Sequence, residues 1–259
     1  MAIFDIWCDK PVELHARTKL WTVTEKAGGR MSIQPDLIRT VRSHYDELAL
    51  ISNDIADLGY AGAEEILKAR LPQTAKARSG DLGEIVATEF AREVFGFVIP
   101  VKRLRYKDGR DMALRGDDFI GVFIDANGGL YLLKGESKSR LILGQTTIDE
   151  ARGVLDRDNG RCTPISLLFV ADRMMESNDA EIKRIGKMLR AEVGTKSLRA
   201  DQITHAMITF SGNAPVDLLR SDVRSADGTR PQFAVNIHIE DHQDFITQTF
   251  KDASDLGKY

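Results

Sequence analysis

The chain has 259 residues, 42% hydrophobic and 29% charged, with a net charge of −3. That is length enough for a substantial core and an ordinary globular composition, while a near-neutral charge gives no global support for nucleic-acid binding. No apolar run is long enough to span a bilayer and the N-terminus lacks a basic-then-apolar leader, so a cytoplasmic protein with no membrane contact is expected.

Residues 1–33 begin with short apolar pieces, Ala2 to Trp7 and Leu20 to Val23, before a Gly28-Gly29 turn, and read as strand-like. From 35 to 70 apolar residues recur at helical spacing (Leu37, Ile38, Val41, then Leu48, Ile51, Ile55), a helical section closed by Pro72. The polar stretch Gln73 to Ser79 marks the junction between an N-terminal extension, 1–75, and a core, 76–259. Ser79 is placed to cap a helix with Asp81 in its first turn, Leu82, Ile85, Val86, Phe90 and Val94 on its buried stripe, and Gly96 at its end. Strands are expected over Phe97 to Leu104, Phe119 to Ile124 and Leu130 to Lys138, the last two joined by a hairpin turn at 125–129. A helix over Thr147 to Leu155 precedes Pro164 to Val170, whose unbroken apolar run predicts a strand buried on both faces. Asn178 to Val193 reads as helix, His205 to Phe210 as a buried strand, Phe233 to Ile239 as an alternating strand and Asp244 to Ala253 as a closing helix. This succession indicates an α/β fold, a mixed sheet with helices packed on its faces.

Chemistry concentrates in Lys134-Gly135-Glu136-Ser137-Lys138. On a strand, Glu136 and Lys138 share a face with Lys134 in line behind them, and the hairpin brings Asp117 or Asp118 beside Glu136. Two carboxylates suit Mg²⁺, and a neighbouring lysine can orient an attacking water and stabilise charge on phosphate. Glu84 has the small residues Ala87, Thr88 and Ala91 above it, which leaves room for a carboxylate turned toward the sheet. Against this stands a strand-end salt bridge with a turn-forming Asp pair. A second Glu-x-Lys, Glu181-Ile182-Lys183, falls in a helix, where i and i+2 do not share a face, and reads as solvated surface. Positive charge crowds the same region: Lys102, Arg103, Arg105, Lys107 and Arg110, then Lys134, Lys138 and Arg140, a candidate phosphate-binding patch or a Lys/Arg-protected edge strand. Arg152, Arg157 and Arg161 either extend it or lie on an exposed helix face. Cys8 and Cys162 and the five scattered histidines show no metal-ligand spacing, so the cysteines read as reduced thiols without a chemical role.

Taken in order, SGDLGE, RGDDF and GESKSR resemble the PD-(D/E)xK, or restriction-endonuclease-like, superfamily, and more closely the HamA (DUF1837) nuclease family of Hachiman anti-phage defence. The motif-bearing part spans roughly 76–175. The resemblance implies a restriction-endonuclease-like mixed sheet and a Mg²⁺- or Mn²⁺-dependent endonuclease cutting DNA, with no small-molecule cofactor. By position it implies metal ligands Glu84, Asp118, Glu136 and the Ser137 backbone carbonyl, with Lys138 as the catalytic lysine. The signature Pro-Asp is Gly-Asp-Asp here, which makes Asp117 the fallback ligand. It also implies a helicase partner resembling HamB, since this chain carries no phosphate-binding Gly-rich loop followed by Lys-Ser/Thr. The competing readings are a catalytically silent nucleic-acid-binding or assembly subunit of a helicase complex, and an RNA-cleaving nuclease.

Overall fold

The computed structural model describes residues 2–258. A short helix α1 (Ile3–Trp7) leads into β1 (Cys8–Asp9), β2 (Val12–His15) and β3 (Thr18–Glu25), followed by α2 (Gly29–Tyr45), α3 (Leu48–Arg70) and α4 (Ala75–Val94). The hairpin β4 (Phe119–Ile124) and β5 (Leu130–Arg140) precedes α5 (Gln145–Asp156), α6 (Pro164–Met175) and α7 (Ala180–Thr195). The chain closes with β6 (Ile203–Ser211), α8 (Val216–Ser225), β7 (Gln232–His238) and α9 (His242–Ser254).

The strands form one mixed sheet in the order β1-β3-β7-β6-β5-β4, with β2 also paired to β3. Neighbours among β3, β7, β6 and β5 run parallel, whereas β4 is antiparallel to β5, and β1 and β2 to β3. The α/β reading with a helix-flanked mixed sheet therefore holds. On one face Ile85 and Phe90 of α4 and Phe245 and Phe250 of α9 meet Val23, Ile208 and Ile237 of the strands. On the other, α5 and α8 cover Met207 and Ala234, while α6 and α7 cover Ile120, Val122 and Leu132 of the hairpin.

Several local expectations are corrected. Pro164 to Val170 is helix, not strand: Pro164 sits at the helix start, where its missing N–H costs nothing, and Leu167, Val170, Ala171 and Met174 are buried at helical spacing while Ile165 is exposed. Ala2 to Trp7 is not strand-like but contains α1, whose first backbone amides, on Ile3 and Phe4, each donate to the Glu93 carboxylate at 3.0 Å. Phe97 to Leu104 makes only an isolated Val98–Val122 bridge before a 3₁₀ turn at Arg103–Tyr106. Pro100 in its middle has no N–H to give a ladder. The site helix starts a turn earlier than expected, with Thr74 Oγ1 accepting from Ala77 N at 3.2 Å, and Ser79 lies inside it. No element was expected over 216–225, where α8 forms on Leu219 and Val223.

Residues 1–75 join the same core. β3 pairs with β7 from Thr18 to Thr24, Trp21 meets the Phe90 ring at 6.3 Å, and Trp7 stacks on Phe245 at 5.7 Å. The stretch after Leu71 is a connection between α3 and α4 within that core.

Candidate active site

The hairpin sets the geometry. Phe119 lies opposite Gly135, and the Asp118 amide donates to the Gly135 carbonyl at 3.1 Å. Two residues of one strand thus meet one of the other, as at a β-bulge, and Asp117 and Asp118 leave on different sides. Gly135 is required here, because a Cβ on it would come within 2.2 Å of the Phe119 ring. Asp118 Oδ2 accepts from the Ser137 amide (2.7 Å) and hydroxyl (3.0 Å). Asp117 is buried on the α6 side, where its Oδ2 accepts from Thr163 N (2.7 Å) and Oγ1 (3.2 Å). Of the two aspartates, then, Asp118 is the one facing the helix acid, and Asp117 is turned inward.

Helix α4 approaches β5 closely at Gly83, where a Cβ would lie 2.8 Å from Ser139 Cβ. Ser79 and Ser139 share a 2.8 Å hydroxyl contact one turn earlier. This approach brings Glu84 over the strand end. Glu84, Asp118, Ser137 and Lys138 line one cavity of about 420 Å³, together with Lys107, Arg140 and residues 111–114. Glu136 is not on that wall: it is 4% exposed, with Oε1 2.5 Å from Lys138 Nζ. Four of the expected residues therefore share a cavity, and Glu136 joins them through the lysine.

Electrostatics makes this cluster short of positive charge. Burial, and then the Asp118 charge, holds the Glu84 carboxyl well above the ordinary range, and among the described residues no donor reaches it. Burial and Asp118 push Glu136 up to about 8 against the pull of Lys138. Asp118 is itself raised by burial, an effect the Ser137 amide and Lys138 reduce. Among the described residues no three Asp, Glu, His or Cys side chains are grouped tightly enough to cage a metal ion as they stand. The donor set is nonetheless that of a hard cation: mutually repelling carboxylates, one without any donor, beside an edge of β5 that β4 no longer covers beyond Gly135.

Asp81, which the sequence places in the first helical turn as a partner of the helix dipole, is buried on the cavity wall three residues before Glu84, accepting from Tyr45 Oη (2.7 Å) and Lys107 Nζ (2.8 Å). The i, i+3 spacing of Asp81 and Glu84 was the available signal.

The expected basic patch is largely spent inside the protein. Lys134 is fully buried, donating to the Leu155 (2.9 Å) and Arg157 (3.0 Å) carbonyls, so it cannot meet nucleic acid. Arg103 is buried and donates to the Arg115 carbonyl, and Arg105 binds the Ser43 carbonyl. Lys102 donates to Ser43 Oγ, and Lys107 to Asp81. Only Arg110 and Arg140 of that set are exposed. Arg152 pairs with Asp222 and Arg161 with Glu192, so neither extends the patch. The second Glu-x-Lys behaves as surface, Glu181 pairing with Arg184 on α7.

Fold and site together define an α/β protein with a carboxylate–lysine cluster where α4 crosses the end of a β-hairpin. The HamA family model matches residues 1–253, and the chain belongs to the HamA family. It is also similar to Hachiman protein HamA of Bacillus cereus, 30% identical over 132 residues that cover 49% of this chain and 46% of that protein. The match thus spans about half the length of the curated relative.

Proposed function

We propose that this chain is a metal-dependent nuclease of the PD-(D/E)xK type, cutting DNA as an effector of Hachiman anti-phage defence together with a helicase partner. The observation that carries the reading is the meeting of Glu84, Asp118, Ser137 and Lys138 on one cavity wall, with Glu136 held on Lys138. Membership of the HamA family and the name of the B. cereus relative support the defence role.

Glu84, Asp118, Glu136 and the Ser137 carbonyl would hold Mg²⁺ or Mn²⁺, which when bound polarises the scissile phosphoryl group. Lys138 does the positioning. Lys138 lines the cavity with its ammonium 2.5 Å from Glu136 Oε1, and in this reading it orients an attacking water and stabilises charge developing on the phosphate. The Ser137 amide and hydroxyl fix Asp118 in place, so little reorganisation is needed when substrate arrives. Burial of the cluster strengthens each of these interactions over its value in water.

The test is plasmid cleavage in Mg²⁺, with and without helicase and ATP, by the wild type, Glu136→Ala and Lys138→Ala. Cutting by the wild type alone supports the reading. Equal cutting by all three overturns the site. Absence of cutting by any, with helicase and ATP present, favours a silent binding subunit, and cutting confined to an RNA substrate favours a ribonuclease.

A further inference from the structure

With Lys102, Arg103, Arg105, Lys107 and Lys134 tied to internal partners, the phosphates flanking a scissile bond need another track. A second groove, of about 530 Å³, opens where α3, the α3–α4 connection and α9 meet, lined by Lys68, Arg78, Arg110 and Lys251 with Glu65 as its one acid. By contrast, the catalytic cavity sets Lys76, Lys107, Lys138 and Arg140 against Asp81, Glu84, Asp111 and Asp118, and is balanced. The side chains lining the groove therefore sum to +3, within a chain of net −3.

The pairing state of these cations matters. Lys68 is shared with Glu64 and Glu65 at 3.3 Å. Arg78 donates Nε to the Pro72 carbonyl at 3.0 Å, which leaves its charge uncompensated. Arg110 is exposed, and its Nε comes no closer than 3.9 Å to Asp111 Oδ2, a loose contact, while Asp111 Oδ1 accepts from the Gln73 (2.8 Å) and Thr74 (3.0 Å) amides. Lys251 is exposed, with no ion pair among the described residues. That Asp111 contact is also the wall shared by groove and cavity, since Gln73 and Arg110 line one while Thr74 and Asp111 line the other.

We infer that the groove formed by Arg78, Arg110 and Lys251, with Lys68 at its edge, binds the phosphate backbone of the nucleic acid whose scissile bond lies in the neighbouring cavity. The inference rests on the nuclease reading for the identity of the ligand. Such contacts are independent of sequence and release counterions, so binding should weaken steeply with salt.

The test is the binding of labelled DNA, duplex and single-stranded, and of labelled RNA by full-length wild type and Arg110→Gln/Lys251→Gln in EDTA across a salt series. Both substituted side chains are exposed, so folding is not at stake, and Lys183→Gln/Lys187→Gln on α7 serves as the charge-matched control. Loss of two contacts should flatten the log K against log salt slope by about 1.8 on duplex and about 1.4 on single strand, with the control unchanged. A wild-type slope in the groove variant overturns the groove while leaving the nuclease site standing. A wild type that binds neither DNA nor RNA overturns both.

Discussion

Lys134 shows most sharply how a residue's neighbours decide its role. On the strand it shares parity with Glu136 and Lys138, which made it a candidate for phosphate contact. In the fold it is fully buried, bonded to two carbonyls at the end of α5 and 3.8 Å from Asp117. Removing one partner of such a buried pair leaves the other charge uncompensated, so Lys134→Met should cost about 3–5 kcal/mol in chemical denaturation. Lys134→Met/Asp117→Asn should recover part of that loss, and a double variant whose loss is the sum of the two single losses would show that the pair does not interact. Glu136 makes stability depend on pH. Its folded-state value, about 8, lies above that of an unfolded glutamate, so its contribution to stability is complete below about pH 4.3 and is lost as pH rises through 8. Without divalent cations, the melting temperature of the wild type should therefore fall relative to Glu136→Gln between pH 5 and about pH 8. A constant difference across that window would show that Glu136 is not held in an unfavourable site. Lys138→Ala should lower cleavage by about 100-fold or more, on the scale of losing one preorganised charge stabiliser.

At the scale of elements, legibility followed periodicity. The hairpin, the buried run around His205 and Phe210, and the helix over Thr147 to Leu155 were readable because alternation, a turn signal or a helical stripe was confined to each piece. Pro164 to Val170 misled because an apolar run has no period of its own. Its helical character lies in Ala171 and Met174 beyond the run and in the proline at its start. The site was readable to the extent that it depends on strand parity. Which of Asp117 and Asp118 faces the cavity was not, because that follows from the shared pairing at Gly135, a feature of two strands rather than of one segment. Gly135→Ala would drive a Cβ into the Phe119 ring and should destabilise the fold by about 1–3 kcal/mol, with a matching loss of melting temperature. An unchanged melting temperature would mean that the hairpin relaxes freely around that contact.

Across the whole molecule, helix packing rather than a single motif assembles the cluster. α4 is pinned to β5 at Gly83 and Ser79, and to α2 through Tyr45 and the buried His44–Glu89 pair at 2.8 Å. α9 closes the same core from below, bringing Lys251 to the groove beside the α3–α4 connection. The N-terminal strand β3 sits within this sheet, which the sequence pattern of residues 1–75 did not disclose, since parallel pairing to a strand more than 200 residues away leaves no local trace. In the proposed site Asp118, and not Asp117, joins Glu84 and Glu136 in holding a divalent cation. Calorimetric titration of Mn²⁺ into wild type, Asp118→Asn and Asp117→Asn measures this without reference to substrate, partner or trigger. Binding is expected in the wild type and Asp117→Asn, with its loss in Asp118→Asn. Equal binding by wild type and Asp118→Asn, or no binding by the wild type, would contradict it.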